Sequence, residues 1–180
     1  MTTYIALVRG INVGGKNLLP MRDLVSNLET LGAEQVRTYI QSGNAVFRHD
    51  SRSPTKLAKT IGAAIRGSHG FEPRVLVLHV HDLERAIAAN PFPEAEDEPK
   101  SLHLFFLASV PQAPDLEALQ EIAGPDERFR LVGRVFYLHA PHGIGRSKLA
   151  ARAEKALGVR ATGRNWRTIG KIAELIGTGA

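Results

Sequence analysis

One pattern governs what this chain can fold into: the same order of apolar runs and turn residues occurs twice. The first half opens with a strand, Tyr4–Val8. A helix follows over Met21–Leu31, with Leu24, Val25, Leu28 and Leu31 on one face and Gly32 placed to terminate it. Two strands, Val36–Gln41 and Ala45–Arg48, meet at Ser42-Gly43-Asn44, where Gly and Asn accept the φ > 0 that a tight hairpin requires. Ser53-Pro54 reads as the N-cap and first-turn proline of a helix carrying Leu57, Ile61 and Ile65. The strand Arg74–Val80 and a short helix Asp82–Ala89 complete the half, and Asn90-Pro91 stops it.

The second half repeats the plan. Leu102–Leu107 is a strand and Pro114–Ala123 a helix closed by Gly124. Arg128–Val132 and Arg134–His139 are strands joined at Gly133-Arg134. Ser147 caps a helix with Leu149, Ala153 and Leu157 inward, ended by Gly158. Val159–Ala161 is a short strand, and Asn165–Ile176 a last helix with Trp166, Ile169, Ala173 and Ile176 along one side. The order β-α-β-β-α-β-α, twice, is the ferredoxin-like or split β-α-β arrangement. The expected fold is therefore α+β: two tandem ferredoxin-like lobes with antiparallel sheets covered by helices. The lobes are residues 1–90 and 101–180, joined by an acidic, proline-rich linker, 91–100. A long surface loop within one fused domain is the other reading of that stretch.

Between first strand and first helix the chain reads R-G-I-N-V-G-G-K-N-L-L-P. Gly10–Asn17 nearly fits the phosphate-binding loop G-x-x-x-x-G-K-[ST]. Four features oppose that reading. Asn17 replaces the Mg²⁺-holding hydroxyl, and Pro20 delays the helix that should meet the phosphate. The hairpins imply an antiparallel sheet, and no convincing acidic partner strand is present. The loop still asks for an explanation. The first half spends more chain between strand and hairpin glycine (Leu7 to Gly43) than the second does (Phe106 to Gly133), and such insertions are more often functional than structural.

In a ferredoxin-like lobe the first and second strands run parallel, so this loop and the hairpin share one edge. Arg9, Asn12, Lys16 and Asn17 then approach Gln41, Ser42 and Asn44, beside the N–H groups of Gly14 and Gly15, as an anion-attracting nest. The competing reading is a self-satisfied loop whose Asn and Gln side chains hold its own backbone. A second cluster, H-G-I-G-R-S-K and T-G-R-N-W-R-T, enters two helix N-termini in the second half. Arg146, Ser147, Lys148, Arg164, Asn165 and Trp166 would there suit a phosphate and a stacked base. Against this, Ser147 and Asn165 are good ordinary N-caps and Trp166 a good core residue.

Composition bounds the function classes. The 180 residues, 43% apolar, hold no cysteine, which removes disulfides, thiolate nucleophiles and zinc–thiolate sites. No apolar run approaches the ~18 residues of a membrane span, and M-T-T-Y-I-A-L-V-R-G is not a secretory signal, so the expectation is a cytoplasmic protein without a membrane partner. A formal net charge of +5 favours anionic partners, although Arg and Lys are spread along the chain.

Taken in order, R-G-I-N-V-G-G-K-N, V-R-T-Y-I-Q-S-G-N-A-V-F, G-R-S-K-L and T-G-R-N-W-R-T resemble the bacterial family named domain of unknown function 1697. The resemblance spans essentially the whole chain. Ala45 stands where members usually carry valine, whereas Thr162, Arg164, Asn165, Trp166 and Thr168 follow the family's tail motif. The resemblance implies a duplicated α+β unit and no established activity. Its motif positions include Gly43 and Gly145 and otherwise coincide with the two loop clusters.

Other signatures are weak. Ser53-Pro54-Thr55-Lys56 fits S-x-x-K without its partner motifs. His79 and His81 flank one strand residue but lack a third metal ligand. His139 and His142 have no nucleophile assigned beside them, and Glu94, Glu96, Asp97 and Glu98 form a solvated acidic run. No cofactor or metal is expected. The leading expectation is binding of an anionic ligand, nucleotide or nucleic acid, at the basic loops. The alternatives are an enzyme for a phosphorylated or carboxylated metabolite, and a scaffold with self-satisfied loops.

Overall fold

Five consecutive buried residues, Tyr4–Val8, place β1 (Thr2–Arg9) in the middle of a sheet. In the computed structural model, which describes residues 1–177, β1 is followed by α1 (Met21–Thr30), β2 (Glu34–Tyr39) and β3 (Asn44–His49). Then come α2 (Pro54–His69), β4 (Arg74–His79) and α3 (Val80–Ala88). After a 3-10 turn at Pro93–Asp97 the plan repeats with β5 (Leu102–Leu107), α4 (Leu116–Ile122), β6 (Arg128–Val132) and β7 (Val135–His139). A short 3-10 turn at Ile144–Arg146, α5 (Lys148–Leu157), β8 (Ala161–Asn165) and α6 (Trp166–Gly177) complete it. By internal contacts the described residues divide into two compact units, 1–85 with 171–177, and 86–170.

Both sheets are four-stranded and antiparallel, in the orders β2-β3-β1-β4 and β6-β7-β5-β8. This is the ferredoxin-like order expected from the duplicated pattern. In the first unit Tyr4, Ala6, Val8, Ala45 and Phe47 meet Leu24, Leu28, Leu57, Ile61 and Ile65 of α1 and α2. In the second, Leu107, Phe136 and Leu138 meet Leu119, Leu149, Ala153 and Leu157 of α4 and α5. Gly163 on β8 leaves room for the Phe105 ring, whose edge lies 2.7 Å from where a Cβ would stand.

Several boundaries move from the sequence expectation. Helix α3 begins at Val80, so His81 is helical and not on a strand with His79; Asp82 Oδ2 accepts the His79 N–H at 3.0 Å and draws the turn closed. The imidazoles stack 5.1 Å apart, yet no three His, Asp or Glu among the described residues are grouped to hold a metal. Strand β8 runs over Ala161–Asn165, later than Val159–Ala161, because Ala161–Asn165 is the segment in register with β5. The acidic stretch after Asn90 is tied down within the second unit. Glu94 meets Arg128 at 2.5 Å, and the Arg128 guanidinium lies 4.8 Å from the Phe92 ring centroid. A hydrogen bond from its own backbone N–H, and then Arg128, hold the Glu94 carboxyl below its usual range.

Two predictions come from this packing. Gly43 has φ +81°, and a Cβ there would stand 2.7 Å from Val8 Cβ and 2.9 Å from Ile11 Cδ1. Gly43→Ala should therefore cost about 2 kcal/mol or more, read as a lowered denaturant midpoint at unchanged slope. His103 is buried on β5 with its Nδ1 unpartnered, and burial pushes its pKa below the ordinary value despite a hydrogen bond to the Ser101 backbone. Burial, then Arg128, lowers His139 in the same direction. A lowered folded pKa means the unfolded chain binds more protons in acid. Stability should be full above about pH 6.5 and fall as pH drops through the folded values. His103→Leu should preserve or raise the melting temperature at pH 7 and flatten that acid fall, since Ser101 O still accepts the Ala140 N–H at 2.8 Å.

Candidate functional site

The loop after β1 is built around one side chain. Asn12 sits at φ +55°, and its Nδ2 donates to Leu19 O at 2.9 Å and to Gln41 O at 2.8 Å. Its Oδ1 accepts the Leu19 N–H at 2.8 Å. Asn12 N–H in turn donates to Asn17 O, and Asn17 Nδ2 to Gly10 O. Lys16 N–H closes a tight turn on Val13 O at 3.1 Å, which leaves Gly14 and Gly15 at the exposed tip in left-handed backbone. No hydrogen bond engages either glycine N–H among the described residues.

Loop and hairpin meet at one end of the sheet, as the topology requires. Leu7 faces Asn44 across β1 and β3, and Val8 N–H donates to Gly43 O at 2.8 Å. Arg9, Asn12, Gly14, Gly15, Lys16 and Asn17 are thus brought to Gln41, Ser42 and Asn44. Two of these play other parts than expected. Gln41 contributes its backbone carbonyl to the loop, and Asn44 is fully buried, its Nδ2 donating to Tyr39 O at 3.0 Å and Ser42 Oγ at 2.9 Å. Asn12, Asn17 and Asn44 hold the loop and hairpin in shape; Arg9, Lys16 and the Gly14-Gly15 amides face solvent.

Several cations gather at this end. Arg9 stands directly opposite Arg74 in the β1–β4 register, and both are exposed. Like charges directly opposite in a sheet are destabilising. Arg22 and Arg66 lie here too, against Asp23 at 3.3 Å and Glu72 at 3.5 Å, and His69 also meets Asp23. Lys16 adds a further exposed cation. Asp23 occupies the first turn of α1 and Pro20 its N-cap, so the helix end offers a phosphate no P-loop geometry. Sequence reasoning missed Arg74, because only the strand register reveals it as a neighbour of Arg9. It also missed Ile40, which takes φ +47° at the hairpin corner with its side chain exposed. Y-I-Q-S-G-N held the signal: a β-branched residue just before the turn.

In the second unit Arg146, Ser147, Lys148, Arg164, Asn165 and Trp166 share one end of the sheet, because His139 pairs with Leu102 and Asn165 with His103. Ser147 Oγ accepts the Ala150 N–H at 3.0 Å and Asn165 Oδ1 the Thr168 N–H at 2.9 Å, so both are N-caps. Trp166 is half-buried at the start of α6. Gly143 and Arg167 border a hollow of ≈ 520 Å³ with Lys100 and Glu98. Arg146 and Lys148 border another of ≈ 430 Å³ with Asp126, Glu127 and His142, and His142 pairs with Asp126 at 3.0 Å. Two acids face two bases at the second hollow, and Glu98 stands with Lys100 and Arg167 at the first.

Removing the Asn12 clamp tests the first loop. Asn12→Ala loses three hydrogen bonds and keeps a left-handed residue, and should cost about 2–4 kcal/mol in chemical denaturation. Asn12→Gly should recover roughly 1 kcal/mol of that by relieving the backbone.

A solved structure of similar size carries the same outline. The solved structure titled "The structure of conserved bacterial protein SP0830 from Streptococcus pneumoniae" is similar at a TM-score of 0.64 and 25% identity, over 97% of this chain and 98% of that one. No curated protein matches the chain. The family model described as "Protein of unknown function (DUF1697)" matches residues 1–137, which take in both motifs of the first loop edge. The chain belongs to the domain of unknown function 1697 family.

Proposed function

We propose that this protein binds a phosphate-bearing anion at the loop edge of its first unit. The observation that carries the reading is the exposed tip Gly14-Gly15, whose amides no hydrogen bond engages among the described residues, beside exposed Lys16 and at the edge that also carries Arg9 and Arg74. Arginine's planar donors suit phosphate oxygens, and Lys16 adds a point charge beside the amides. The loop's own hydrogen bonds hold the amides in place before any ligand arrives, which limits the ordering cost of binding. A nucleotide or a nucleic acid presents the required group, and its binding would weaken with salt as counterions are released.

Amide-resolved NMR titration with pyrophosphate, then a nucleoside monophosphate, tests the reading. The expected outcome is saturable movement of the Gly14 and Gly15 signals, diminished by added salt and lost in Arg9→Ala and Lys16→Glu. Signals that stay still at this loop with every phosphate probe would overturn it.

A further inference from the structure

Three aliphatic side chains crowd the same edge, and they narrow what carries the anion. Val13 is 70% exposed, Leu18 62% and Ile40 50%. Each lies one residue from an atom of the Asn12 network: Val13 follows Asn12, Leu18 precedes Leu19, and Ile40 precedes Gln41, whose carbonyl Asn12 holds at 2.8 Å. The network therefore anchors the backbone next to all three at the end of the sheet that carries Lys16. Leu19, by contrast, turns inward and is fully buried, so the loop separates an anchored leucine from an exposed one. Ile40 is held at φ +47°, where a β-branched residue is strained, and its side chain is half in solvent. Asn or Gly would fill that corner without strain. The isoleucine makes sense as a contact and not as a turn residue.

Resting on the anion-binding reading above, we propose that the anions are the headgroups of a lipid surface, and that Val13, Leu18 and Ile40 enter its apolar boundary while Arg9, Lys16 and Arg74 lie at the phosphates. Exposed aliphatic tips flanked by cations are the composition that binds at a bilayer interface, where buried apolar area and attraction to anionic lipid add. A single-stranded nucleic acid would instead call for aromatic faces on which bases stack. At this edge the exposed apolar groups are aliphatic, and Tyr39 is half-buried. No helix among the described residues is long and apolar enough to cross a membrane. The expectation of no membrane partner rested on that same lack of a spanning run, and a peripheral contact needs none.

The test is vesicle flotation of the full chain at low and moderate salt. One set of vesicles is phosphatidylcholine alone and the other equimolar phosphatidylcholine and phosphatidylglycerol. The expected result is salt-sensitive binding to the second set only. Lys16→Ala should weaken it roughly fivefold, given about 1 kcal/mol per surface cation. Val13→Ser with Leu18→Ser should weaken it further while leaving the pyrophosphate titration unchanged. Ile40→Asn should raise the melting temperature and lower vesicle binding together, a split that a structural isoleucine would not produce. Binding to pyrophosphate or to single-stranded RNA without binding to vesicles overturns the lipid assignment and leaves the anion site standing. Vesicle binding indifferent to the serine pair does the same, since it reports charge alone. Failure with vesicles, pyrophosphate and RNA alike removes both readings.

Discussion

In each unit the first strand is hydrogen-bonded on both sides, to the third strand and to the fourth, and runs antiparallel to each. That threading decides the rest. Because β1 points the same way as β2, its C-terminal end, the β2–β3 hairpin and the first residue of β4 gather at one end of the sheet. The glycine loop, Gly43 and Arg74 are neighbours for that reason alone. The same rule brings the ends of β7 and β8 to the start of β5 in the second unit. The two clusters of polar loop residues thus occupy opposite ends of equivalent sheets.

The first of those ends carries features that work against stability. Asn12, Asn17 and Ile40 occupy left-handed backbone, and two arginines face each other in register. Residues in such backbone cost on the order of 1 kcal/mol or more each and persist only where the surroundings over-determine them. Here the surroundings are the three bonds of the Asn12 side chain, the Asn17 bond to Gly10 and the Val8 bond to Gly43. A loop that merely had to connect a strand to a helix would need none of this, and the second unit's counterpart manages with a shorter stretch. The asparagine side chains are spent on the backbone of the loop and hairpin. That leaves Arg9, Lys16 and the glycine amides turned outward.

The second end is built differently. Its helix N-termini are closed by Ser147 and Asn165, its bases stand among Glu98, Asp126 and Glu127, and Trp166 gives part of its ring to packing. Ordinary capping chemistry accounts for Ser147 and Asn165 of the expected phosphate-and-base site. Divergence within one duplicated plan has left the strained, cationic loop in only one copy.

The sequence by itself determined the element order, the duplication and the ferredoxin-like sheet, because apolar periodicity and turn residues are local signals that act on every segment in the same way. Ser53 and Ser147 start their helices, and Gly32 and Gly158 end theirs, as their chemistry dictates. It also named most of the loop residues that meet at the first edge, since topology follows from element order. Tertiary structure alone decided which of them hold the loop and which face out. Asn44 disappears into the hairpin, Gln41 offers its carbonyl and not its side chain, and Arg74 arrives beside Arg9 from far along the chain. A side chain's role depends on which donors and acceptors the fold leaves unsatisfied around it. That count exists only once distant strands have paired.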